Sequence, residues 1–176
     1  YDCRRAEEFR SELMDALRII ERGDLSPQDM RGAWAGELGQ TQFMPSNFVD
    51  YAIDFSGDGR ADIWNNVPDV LGSTANYLRK WKWNASLPWG FEVIVPKGFD
   101  YMRSRATFAD WQTLGVQRAD GKPFPSAGQG ILFFPSGANG PGFIVTENFT
   151  ALKEYNNSDA YAIAVGHLAD RMHGGP

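Results

Sequence analysis

Two neighbouring stretches hold the residues suited to chemistry. In Asp54-Phe-Ser-Gly-Asp-Gly-Arg-Ala-Asp62, oxygen-bearing side chains alternate, so that Asp54, Ser56 and Asp58 fall at the first, third and fifth positions of a calcium loop and Gly59 at its sixth. Alternate spacing lets a curled loop aim its oxygens at one hard cation, and the glycine permits the sharp turn. Arg60 would contribute only its carbonyl, and Ile63 supplies an apolar anchor. Where the template has a bidentate glutamate at the twelfth position, this chain has Asn65; Asp69, at the start of the next helix, could supply the missing carboxylate in a longer loop. The spacing, with helices expected on both sides, points to an EF-hand-like loop holding a structural Ca2+. A solvated Asp/Gly turn is the alternative reading of the same residues.

The second stretch, residues 32–48, packs Gly32, Gly36, Gly39, Glu37, Gln40 and Gln42 among Trp34, Phe43 and Phe48. Glycines allow backbone conformations and approaches that a Cβ would block, while the glutamines offer donors and acceptors together. Such a surface suits a neutral ligand rich in hydroxyl and amide groups. A tight glycine turn between helices fits the same composition equally well.

The elements that must position these stretches are mainly helical. Phe9, Leu13, Ala16, Leu17 and Ile20 recur at helical spacing over residues 5–22 and predict an amphipathic helix with that face inward, stopped by Gly23. Ser26-Pro27-Gln28-Asp29 has the form of a capped helix start. Pro45-Ser46 opens another short helix with Phe48, Tyr51 and Ala52 inward. Beyond the acidic loop, Val70, Leu71, Thr74, Tyr77, Leu78 and Trp81 predict a helix ending near Lys82.

The pattern then changes. Residues 91–95, 130–134 and 142–145 read as strands of a small antiparallel sheet, with a helix over 107–115 capped by Thr107 and stopped by Gly115 and a loop over 116–129. Residues 148–155 and a helix capped by Ser158, with Tyr161, Ala164, Val165, Leu168 and Met172 inward, complete the chain. The expected class is α+β, mainly α, with helices over 1–83 and 147–173 and a β-containing lobe at about 87–146.

Composition excludes several classes. At 176 residues the chain can bury a core, and 43% apolar with 22% charged residues is ordinary for a globular domain. The net charge of −5 without a basic run argues against nucleic acid. No apolar run reaches membrane-spanning length. The single cysteine, Cys3, cannot form an internal disulfide and is expected to be a bystander.

Three motifs in order, Gly32-Ala-Trp-Ala-Gly-Glu-Leu-Gly-Gln-Thr-Gln-Phe-Met-Pro-Ser46, Tyr51-Ala-Ile-Asp-Phe-Ser-Gly-Asp-Gly-Arg60 and Gly72-Ser-Thr-Ala-Asn-Tyr-Leu78, resemble the membrane-bound lytic transglycosylase B family of bacterial murein-cleaving enzymes. Asn148-Phe149 and residues 153–158 resemble that family's end, so the likeness runs from about Tyr1 to His173. It implies a lysozyme-like fold and cleavage of the β-1,4 bond between N-acetylmuramic acid and N-acetylglucosamine. One glutamate would act first as acid and then as base, and a 1,6-anhydro sugar would form without added water. That differs from the two-carboxylate hydrolases, in which a second carboxylate attacks the sugar or activates water.

The family's glutamate lies in a Glu-Ser/Thr-x-aromatic-Gly motif upstream of the region matching Tyr1, and no residues here match it, so the acid is expected on an upstream segment outside this C-terminal part of the catalytic domain. Glu37 is the substitute candidate within the chain. By motif, the resemblance carries substrate binding to Gln42, Phe43, Tyr77, Asn148 and Tyr155, and calcium binding to Asp54, Ser56, Asp58, Arg60 and Asp69. Core packing is the alternative for each tyrosine. The partner implied is the peptidoglycan glycan strand, engaged by a monomer in the periplasm or at the outer membrane. Two other classes remain open: a peptidoglycan-binding module without chemistry, and a calcium-stabilised interaction domain unrelated to sugar.

Overall fold

The computed structural model describes residues 5–137 and 139–172; Cys3 and His173 lie outside them. The chain forms two compact units, Tyr1–Lys80 and Trp81–Pro176. Among the described residues there are six helices and one antiparallel sheet of five strands, the α+β class expected.

The first unit holds α1 (Ala6–Glu21), α2 (Pro45–Tyr51) and α3 (Val67–Lys80). Proline opens α2, whose cap residue Met44 makes no side-chain cap hydrogen bond. The acceptor comes from α1 instead. Glu12 takes the Ser46 backbone N–H at 2.9 Å and the Ser46 hydroxyl at 2.8 Å, placing a carboxylate where the helix dipole favours one. Phe43 packs on Tyr77 at 5.5 Å between ring centres, and Tyr51 meets Tyr77 edge-on at 4.8 Å. These rings and the fully buried Ile63 form the core under both functional stretches.

Three helices turn a different face inward from the one their large aliphatic residues predict. In α1 the buried residues are Asp15 and Ile19, while Phe9, Leu13 and Leu17 are exposed. In α3 they are Asp69, Gly72, Ser73 and Tyr77, and Leu71 is 64% exposed. Close approach explains the choice in α3, since a Cβ on Gly72 would lie 2.6 Å from that of Phe55. The helix expected after Ser26 is a single turn. Ser26 and Asp29 do exchange hydrogen bonds as predicted, but the chain beyond them is committed to the bridge pairing Gly32 with Leu38.

The second unit adds β1 (Gly90–Ile94), β2 (Arg105–Thr107), α4 (Phe108–Thr113), β3 (Gln117–Arg118), β4 (Gln129–Phe133), β5 (Gly142–Val145), α5 (Glu147–Tyr155) and α6 (Asp159–Met172). The strand order is β2-β4-β5-β1-β3, with Ile144 opposite both Phe91 and Leu132. Strands β2 and β3, absent from the sequence reading, form the two edges; two or three residues are too few to show a period of two. Phe91, Phe108, Trp111, Val116, Phe124 and Ile144 make the core, with Phe108 stacked on Phe124 at 5.9 Å.

Caps fall where expected. Thr107 accepts from the Asp110 N–H, Gly115 stops α4 with φ 82°, and the Ser158 hydroxyl accepts from the Tyr161 N–H. Helix α6 buries Ala162 and Gly166, while Leu168 is 59% exposed. A Cβ on Gly166 would lie 2.4 Å from the Trp89 ring, whose N–H donates to Asp170 at 2.9 Å, so the small residues admit the indole. Helices α5 and α6, which sequence periodicity grouped with the helical half, share a compact unit with the sheet.

Candidate functional site

The acidic loop is curled by its own carboxylates. Asp54 accepts backbone N–H groups from Gly57, Asp58 and Gly59 at 2.6–3.1 Å, plus the Ser56 hydroxyl. Asp58 accepts from the Arg60 N–H, and the Asn66 amide donates to Ser56 and Asp58. Asp69 is 0% exposed. Its Oδ1 takes the N–H groups of Phe55 and Ser56 at 2.9 and 2.8 Å, and its Oδ2 takes that of Asp62 at 3.0 Å.

These bonds set the charge state. The Gly59 N–H above all, with those of Gly57 and Asp58 and the Ser56 hydroxyl, holds the Asp54 carboxyl below the ordinary value of 3.8 against the opposing effect of burial. For Asp69, burial alone would push the carboxyl up, but the N–H groups of Asp62, Ser56 and Phe55 outweigh it and hold it below 3.8. Oxygens of Asp54, Asp58 and Asp69 lie within 4.8 Å of one another. Ionised oxygens gathered this closely fit a hard cation such as Ca2+. Asp69 has more of a clasp's geometry than the sequence suggested, since both of its oxygens already bind the loop backbone.

The glycine-rich stretch is not helical. Leu38 bridges Gly32 on one side and Phe43 on the other, giving two successive tight turns. Gly39 is required twice over: its φ is 61°, and a Cβ there would lie 2.6 Å from the Ile63 carbonyl oxygen. Gln40 joins this stretch to the acidic loop, its backbone N–H donating to the Ile63 carbonyl at 2.9 Å and its side-chain amide to the Trp64 carbonyl at 2.7 Å. Between them opens a pocket of about 390 Å3 lined by Arg31, Glu37, Gly39, Gln40, Gln42 and Trp64.

The predicted residues divide accordingly. Gln42 is exposed on this pocket, with φ 55° and its amide donating to the Gly39 carbonyl. Glu37 lines the same pocket. Phe43 and Tyr77 are buried, and the Phe43 ring packs on Tyr77 at the base of the turn. Tyr155, at the end of α5, is half-buried.

Asn148 is buried as well. It is 0% exposed, its oxygen accepts the Asn84 N–H at 2.8 Å, and its amide donates to the carbonyls of Asn84 and Leu87 at 2.9 and 2.7 Å. Each polar group of that side chain bonds the backbone. Sequence reasoning missed Trp64, and it found Asn66 as the cap of α3, where its oxygen accepts from the Asp69 N–H, without its amide bonds to the acidic loop. Trp64 lies between recognised loop positions, and its role arises from its carbonyl's bond to Gln40, 24 positions away, for which no spacing rule exists.

Residues 1–170 match the Transglycosylase SLT domain family. The chain is 32% identical over 175 residues to the membrane-bound lytic murein transglycosylase B of Escherichia coli, covering 96% of this chain and 47% of that one. Among solved structures, it matches SltB3 from Pseudomonas aeruginosa in complex with NAG-anhNAM-pentapeptide with TM-score 0.91 and 48% identity, over 99% of this chain and 48% of that one. It matches the Escherichia coli lytic transglycosylase Slt35 in complex with calcium with TM-score 0.74 and 30% identity, over 94% of this chain and 53% of that one. The chain thus spans about half the length of the relatives it matches. Its α+β architecture is that of the lysozyme-like lytic transglycosylases, and by the match across nearly all its length the chain belongs to the Transglycosylase SLT domain family.

Proposed function

We propose that this chain is the substrate-binding and calcium-binding part of a peptidoglycan lytic transglycosylase. The observation that carries the proposal is its 48% identity, over 99% of its length, to a protein solved with a NAG-anhNAM-pentapeptide, a ligand whose anhydro sugar is the product type of this reaction. The bond cleaved is the β-1,4 link between N-acetylmuramic acid and N-acetylglucosamine. A glutamate protonates the leaving oxygen, then takes the proton of the muramoyl 6-hydroxyl as that oxygen closes on C1, so no water enters.

The acid is assigned outside residues 1–176, because no segment here carries the family's glutamate motif. Glu37, the carboxylate of the pocket, sits on an irregular turn. Gln42 faces the glycan from the pocket, Phe43 and Tyr77 set the turn that presents it, and Tyr155 is a surface contact in the second unit. Asp54, Asp58 and Asp69 would hold a calcium ion, with Ser56 and the Arg60 carbonyl as further oxygens, and its contribution would be structural. Through Gln40, the loop it binds buttresses the pocket. The place of action is the cell envelope, with the murein strand as partner; among the described residues no helix is long and apolar enough to cross a membrane.

The test is digestion of purified murein by this chain and by the protein at its natural length, with products read by mass. Anhydro-muropeptides from the longer form alone are expected. Their release by this chain alone would move the acid into it, with Glu37 first to be tested. Binding without turnover by both forms would leave a glycan-binding module.

A further inference from the structure

Residues 96–103 join β1 to β2 through two successive tight turns. The Phe99 N–H donates to the Pro96 carbonyl across the first and the Arg103 N–H to the Asp100 carbonyl across the second, each at 3.3 Å. At the apex Met102 is 91% exposed and its neighbour Tyr101 59%. A single apolar side chain in water is ordinary, but these two adjoin, and rings hold them in place. Tyr101 meets Phe99 edge-on at 5.5 Å and Phe134 at 5.8 Å, and Phe99 packs on the fully buried Trp111 at 6.1 Å. This ladder ties the apex to the core of its unit.

Cations stand beside it. Lys97 and Arg103 line one hollow of about 400 Å3, together with Phe99, Asp100 and Leu114. Neither cation forms an ion pair or a side-chain hydrogen bond among the described residues. Asp100, the acid of the hollow, accepts the Met102 N–H at 3.0 Å. In a chain of net charge −5, the tip therefore joins two uncommitted positive charges to an apolar apex.

We propose that this tip is a contact site for an anionic lipid bilayer, in which a headgroup phosphate enters the hollow between Lys97 and Arg103 while Met102 and the Tyr101 ring enter the boundary between headgroups and acyl chains. Charge complementarity selects an anionic surface. The apex selects a bilayer among such surfaces, because a soluble polyanion would engage the cations and leave Met102 in water. The contact is peripheral, since among the described residues no helix is long and apolar enough to cross a membrane. It uses none of the residues assigned above to glycan or calcium and does not depend on that reading.

The test is co-sedimentation of the protein at its natural length with vesicles of phosphatidylcholine, alone or with about 30% phosphatidylglycerol, at about 50 mM salt. Each cation near an anionic surface is worth about fivefold in affinity, so wild type should favour the phosphatidylglycerol vesicles by about twenty-five-fold. A ratio under about threefold would overturn the inference. A membrane anchor elsewhere in the protein would raise binding to both vesicles alike and leave this ratio unchanged. Lys97→Gln with Arg103→Gln should abolish most of the preference; its persistence would move the contact off this tip. Met102→Ser should weaken binding to the phosphatidylglycerol vesicles about fivefold and leave binding to soluble polyphosphate unchanged. Vesicle binding unchanged in Met102→Ser, or binding to polyphosphate without binding to vesicles, would overturn the bilayer as partner. All three positions are exposed, and each variant should melt within about 2 °C of wild type.

Discussion

Asp69 is the residue whose replacement tests the architecture of the acidic loop most directly. Its carboxylate is fully buried and receives three backbone N–H groups, from Phe55, Ser56 and Asp62. In Asp69→Asn the amide oxygen can keep two of them as neutral hydrogen bonds, but the NH2 group must face the third donor. Leaving that buried N–H unpaired costs roughly 1–3 kcal/mol, and exchanging two charge-assisted bonds for neutral ones adds about 1 kcal/mol each, for a total of about 3–5 kcal/mol. For a chain of this size that corresponds to a fall in melting temperature on the order of 10 °C. The assay is thermal unfolding followed by circular dichroism, in a chelator and in excess calcium. Because the bonds are to the protein's own backbone, the full loss should appear in the chelator. A variant that melts within about 2 °C of wild type there would refute the clasp and leave Asp69 as a metal ligand alone.

Asp58→Asn supplies the contrast: this exposed residue takes one backbone N–H, so metal-free stability should fall by less than about 1 kcal/mol, while the rise in melting temperature on adding calcium should shrink; an unchanged rise would remove Asp58 from the metal set. Asp54 and Asp69 are held below 3.8 in the folded chain, so each contributes stability that is complete above that value and is lost as pH falls through the lower folded one. Metal-free melting temperature should therefore be level down to about pH 5 and drop in more acid solution, and a rise on acidification from pH 5 to 3 would contradict it. Asn148→Ala strands the Asn84 N–H and two carbonyls and should cost about 3 kcal/mol, measured by urea unfolding; a loss under about 1 kcal/mol would show that water replaces the side chain.

What was legible in the sequence was local. The curl of the acidic loop follows from Asp54, Gly57 and Gly59 within six positions, and the caps Thr107 and Ser158 act on N–H groups three residues away. Helix existence was legible too, as were the inward Phe48 of α2 and Tyr77 of α3, but not the face that α1 and α6 turn inward. Reading faces by bulk picked Leu13, Leu71 and Leu168, whereas packing chose Asp15 and Ile19, Gly72, and Gly166, whose lack of a side chain lets an aromatic ring approach. The rest of the site is non-local. Gln40 finds Trp64 across 24 positions and Asn148 finds Asn84 across 64, both between irregular segments with no period to betray them. Phe43 and Tyr77 match the family's motif and are buried here, because a motif records which residues recur together without recording how deep each one packs.

The loop around Asp54 and Asp69 has a kinetic side. The N–H groups of residues 55–59 and 62 are gathered by two carboxylates, so the curled shape of the loop is held by the chain's own hydrogen bonds. For the calcium ion proposed there, capture is then an encounter followed by loss of hydration water, with no loop closure to wait for. Differences in affinity among variants should accordingly be written in the rate of escape. A chelator mixed with the loaded protein should empty the site in one phase at a rate independent of chelator concentration, with the fold around it left standing.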